Sequence, residues 1–88
     1  MNRIQAILTL DMDNFPSNFQ EILIEEKKVV EQWKSKDILE HLYLRESKNG
    51  AVLIFKNVTE DEAKSLMTEL PLYQLRKSVE YLNLIQQF

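Results

Sequence analysis

One carboxylate in this chain stands where helical spacing calls for an apolar residue. Between Phe19 and Trp33, apolar residues recur at helical spacing at Phe19, Ile22, Leu23, Val29, Val30 and Trp33. At about 100° per residue they form one stripe, with Glu26 near its middle. Burial of an unpaired carboxylate is costly and raises its pKa. A carboxyl group with a raised pKa suits a general base that moves protons near neutral pH. The alternative is a Glu26 at the edge of the stripe, or one paired with a Lys, Arg or Tyr.

A second group sits on one extended segment. His41, Tyr43 and Arg45 alternate along it and so share a face. The lone histidine is the one side chain here that titrates ordinarily near pH 6.5. It is a candidate proton donor or carboxylate anchor, or else an interface residue. Tyr43 can donate a hydrogen bond to an enolate oxygen, and Arg45 can clamp a carboxylate through two N–H groups. Packing and a solvated strand end are the plainer roles for those two. Trp33 and Tyr73 are candidates for a ligand-lining surface, with helix–sheet packing the plainer role for Trp33 and interface packing for Tyr73.

These residues need a scaffold. Arg3 to Leu10 alternates with little charge on either face, as a central strand does, and is expected to be a strand rather than a signal peptide. Asp11-Met12-Asp13-Asn14 ends it in a turn. A helix is expected from about Pro16, tolerated in a first turn, to Ser35. Asp37 to Glu46 forms a second strand, with Ile38, Glu40, Leu42 and Leu44 on its core face and Leu39 on the face of His41. Ser47-Lys48-Asn49-Gly50 is a hairpin turn, and Ala51 to Lys56 is an interior strand. Thr59 and Glu62 make a capping box for a second helix that buries Ala63, Leu66, Met67 and Leu70. Pro71 stops it, Leu72 to Leu75 makes a short helical connection, and Lys77 to about Gln86 is the last strand.

The order is β-α-β-β-α-β, the ferredoxin-like arrangement, with residues 1–88 as one domain. Two helices cover one face of a four-stranded antiparallel sheet. The other face, with Ile7, Thr9, His41 and Tyr43, has nothing in the chain to cover it. Such a face marks an interface, and a second copy closing a dimeric α+β barrel is the economical solution. Composition narrows the partners further. Eleven Lys and Arg against fourteen Asp and Glu give a net charge of −3, which disfavours nucleic acid. There is no cysteine and one histidine, which disfavours a metal site. One glycine rules out a glycine-rich phosphate loop. No apolar run approaches the roughly 20 residues that span a bilayer, so the cytoplasm is the expected location.

The chain also resembles the muconolactone isomerases. Glu26-Lys27, His41-Leu42, Phe55 and above all Leu70-Pro71-Leu72-Tyr73 carry the likeness, with Asp11-Met12-Asp13 adding to it. The spacing from His41 through Phe55 to Pro71 fits without gaps. The family has a basic residue where this chain has Leu44, with Arg45 one place further on. The resemblance implies a cofactor-free proton shift within an unsaturated lactone, a role for an acid at Glu26, and an oligomer built from barrel dimers. Two classes of function follow. One is a small cofactor-independent isomerase or related barrel enzyme acting on a small organic acid or lactone. The other is a non-catalytic dimeric barrel that binds a small ligand or serves assembly. A haem-degrading or cofactor-free monooxygenase barrel shares the fold, but a single histidine off any helix gives haem ligation little support.

Overall fold

The structure, a computed structural model, describes residues 2–88. Strands β1 (Asn2–Leu10), β2 (Leu39–Leu44), β3 (Gly50–Phe55) and β4 (Arg76–Ile85) alternate with helices α1 (Phe19–Ser35) and α2 (Glu60–Met67). A 3₁₀ helix, Pro71–Leu75, leads into β4. The sheet order is β2-β3-β1-β4 and every pairing is antiparallel. This is the expected ferredoxin-like βαββαβ fold. The two strands with the least charge, β1 and β3, are the central ones. Ile4, Ala6, Leu8 and Leu10 turn one way along β1 and meet Leu53, Phe55, Ala63, Met67 and Leu70 in the core. Trp33 packs its ring on Phe55 at a centroid distance of 5.4 Å, so it fastens α1 to the sheet. Each such aromatic removes a large apolar area from water.

Helix α1 starts three residues later than expected. Pro16 lies in the preceding turn, where Phe15 stacks on Phe19 at 4.4 Å. Asp11 shapes the start of that turn by accepting from the Asp13 backbone N–H and from Asn14 Nδ2. Helix α2 carries the expected capping box. Thr59 Oγ1 accepts from the Glu62 N–H, and Glu62 Oε1 accepts from the Thr59 N–H.

Strand β2 departs from simple alternation. Its pairing with β3 shifts between Leu39 and His41, so Glu40 is a bulged residue. The extra residue reverses the facing of everything before it. Leu39 pairs with Phe55 and is 4% exposed in the core, whereas His41 pairs with Ile54 on the opposite face. Leu39 therefore does not share the face of His41, Tyr43 and Arg45. Leu42 and Leu44 do face the helices, opposite Leu53 and Ala51, but on an edge strand they stay exposed. Arg3 holds the bulge, donating from Nε and Nη2 to the two carboxylate oxygens of Glu40 at 2.8 and 3.0 Å. In the β2–β3 hairpin the left-handed residue is Lys48, at φ 63°, and not Asn49 or Gly50. Gly50 has another reason to lack a side chain, because a Cβ there would overlap the carbonyl oxygen of Leu8.

Candidate functional site

The chemistry-bearing residues fall on two sides of the sheet. Glu26 lies on the helix side. Its Oε1 accepts from the backbone N–H of Leu72 at 3.1 Å. The local reason is in the sequence after α2. Pro71 opens the 3₁₀ helix while Leu70 and Leu72 bury their side chains beside it. An N–H in the first turn of a helix has no partner within the helix. Glu26 supplies one from α1, and a carboxylate is favoured at that positive end. Among the described residues, no cation pairs with Glu26. Burial pushes its carboxyl above the ordinary range, and the Leu72 N–H opposes this only in part.

Leu72 also lines a cavity of about 190 Å³, with Leu8, Leu10, Phe19, Leu23, Leu44 and Ala51, and Glu26 is not among the residues that line it. Arg45 and Lys48 border it, and its wall is almost wholly apolar. Leu72 thus belongs to both features: its side chain closes the cavity and its N–H holds Glu26. Leu23 is an apolar helix residue left 37% exposed because it stands at this opening. A broader and shallower depression of about 540 Å³, between Ile38, Val58, Asp61 and Leu66, contains none of the candidate residues.

His41, Tyr43 and Arg45 lie on the other side. The rings of His41 and Tyr43 stack at 5.8 Å, and both residues are exposed. His41 Nε2 is 4.0 Å from Glu40 Oε1. Arg45 Nη1 donates to Thr9 Oγ1 at 2.7 Å, reaching across the row in which β3 has only Gly50. The sheet stands between these side chains and Glu26, so Glu26 and His41 do not converge within one chain. Trp33 is in the core and lines none of the cavity. Tyr73 is half-buried, with the Arg76 guanidinium 3.9 Å from its ring centre. The sequence reading missed the Leu72 N–H, which no side-chain pattern reveals, and Lys48, which looked only like a turn residue.

No protein-family model matches the sequence, and no curated protein matches it either. Solved structures do. A crystal structure of muconolactone isomerase superposes with a TM-score of 0.70 at 17% identity, covering 98% of this chain and 88% of that one. An antibiotic biosynthesis monooxygenase gives 0.67 at 11% identity, with 98% of each chain covered. The 5-chloro-2-hydroxyhydroquinone dehydrochlorinase of Burkholderia phenoliruptrix AC1100, complexed with 2,5-dihydroxybenzoquinone, gives 0.61 at 13% identity over 91% and 90% of the two chains. At these identities the likeness is one of fold, and at that level the resemblance to muconolactone isomerase is present.

Proposed function

We propose that this chain is a small cofactor-independent isomerase of the muconolactone isomerase kind, with Glu26 as its proton carrier. The observation that carries the reading is a buried carboxyl group, raised by that burial, held by the N–H of Leu72, a residue that lines an apolar cavity. Its volume is below the roughly 300–1,000 Å³ of drug-sized sites, which favours a small, compact ligand. Two structural neighbours support the same class, one named for a lactone and one bound to a dihydroxybenzoquinone.

In this reading Glu26 takes a proton from the γ-carbon of an α,β-unsaturated lactone. The electron pair moves through the conjugated system onto the carbonyl oxygen, the Glu26 carboxyl exchanges its proton with solvent, and it returns a proton at the carbon next to the carbonyl, so the double bond shifts with no net loss or gain. Lys48 at the border would hold the acid group. The test is turnover of muconolactone followed by NMR. Wild type is expected to convert it and Glu26→Gln to do so at least about 100-fold more slowly, the scale of general base catalysis. Equal rates in both proteins would remove Glu26 from the mechanism.

The Leu72 contact also favours a second reading, in which Glu26 is only a helix cap and the chain is a non-catalytic ligand-binding or assembly barrel. The proposal extends to a single folding unit over residues 1–88, a cytoplasmic location, and a homodimer formed through the uncovered sheet face.

A further inference from the structure

The uncovered face is built in rows. Tyr43, Val52, Ile7 and Glu80 are register partners in one row across all four strands, and His41, Ile54, Gln5 and Leu82 form the next. Arg45, bonded through its N–H to the Gly50 carbonyl, stands one row beyond Tyr43 on the other side. The face is apolar along its middle, with Ile7, Val52 and Ile54 only half-buried, and Leu82 and Leu84 are exposed at one edge. Its charges are divided between the edges. His41 and Arg45 are on β2, and Glu80 is on β4. Arg3 is already paired with Glu40, which also lies 4.0 Å from His41 Nε2, and Lys56 nearby is paired with Asp37.

We propose that Glu80 of a second copy docks over Tyr43, between His41 and Arg45, so that the two-fold axis of the dimer runs along the strands. This rests on the dimer reading above. A two-fold axis between facing sheets lies either along the strands or across them. Along the strands, β2 lies over the partner's β4 and each row lies over itself. Glu80 then faces the Tyr43 hydroxyl, with Arg45 one row to one side and the His41 ring one row to the other, and the arrangement repeats at the other edge. Across the strands, β2 lies over β2 and β4 over β4. Each Glu80 then shares an edge with its own copy, as does each Arg45, and like charges brought together at an interface are penalised. Facing sheets about 10 Å apart leave room for a Glu side chain to meet a Tyr.

The chain has no cysteine, so introduced thiols report without background. Tyr43→Cys and Glu80→Cys chains, co-expressed and treated with a short bismaleimide, are expected to cross-link as a mixed pair. Neither variant alone is expected to cross-link to itself. Self-linking of either one, or a dimer with no mixed product, overturns the axis while leaving the dimer standing. Glu80→Arg is expected to weaken association by about tenfold or more in sedimentation equilibrium, and an unchanged constant counts against the proposal. A wild-type chain that sediments as a monomer overturns the dimer as well.

Discussion

Glu26 illustrates how one acceptor can serve two ends. Its carboxylate ties α1 to the 3₁₀ helix through the Leu72 N–H, yet burial holds the group above its ordinary titration range. The sign of its linkage to stability follows. A folded-state pKa above the unfolded one means that ionising Glu26 opposes folding, so its contribution worsens as pH rises from the unfolded value through the folded one. Gln keeps an oxygen for Leu72 without the charge. Glu26→Gln is therefore expected to be more stable at pH 7, by about 1 kcal/mol at most given the partial solvent contact. The gain should vanish on acidification below the ordinary carboxyl range. Urea midpoints at neutral and acid pH check this, and a variant less stable at pH 7 would mean that the charged hydrogen bond outweighs burial. At this scale the sequence exposed Glu26 through its breach of the apolar stripe. It hid the partner, because a backbone N–H has no residue type to betray it.

Among the elements, α2 was the easiest to place. Thr59 and Glu62 stand three apart, and both reciprocal bonds are present. Thr59→Ala is expected to cost about 1 kcal/mol in urea unfolding, and a change near zero would make the capping box incidental. Strand β2 was harder. Alternation placed Leu39 with His41, and the bulge at Glu40 separated them. The bulge is fastened by the Arg3–Glu40 ion pair, a contact 37 positions apart in the chain that periodicity along a single strand does not report. The Arg3 hydrogen bonds hold the Glu40 carboxyl below the usual range. A depressed pKa contributes stability at neutral pH that is lost as pH falls through the folded value. Glu40→Gln should lower the neutral-pH melting temperature and flatten its acid dependence. An acid limb identical to wild type would place the pair's effect elsewhere.

For the whole molecule, topology was readable because the element order and the largely apolar central strands admit few arrangements. The relation between the sheet's two faces was less so. His41 and Glu26 both looked like site residues from the sequence, yet the sheet lies between them. Their roles divide accordingly: Glu26 and the apolar cavity on the helix side, and His41, Tyr43 and Arg45 on the face proposed for the second copy. The central claim is that a proton passes through Glu26. Muconolactone incubated with the protein in D₂O and followed by proton NMR tests it most directly. The account predicts that wild type exchanges the transferred hydrogen for deuterium as the double bond moves, and that folded Glu26→Gln does neither. Exchange at the wild-type rate in the Gln variant, or none in wild type, would contradict it.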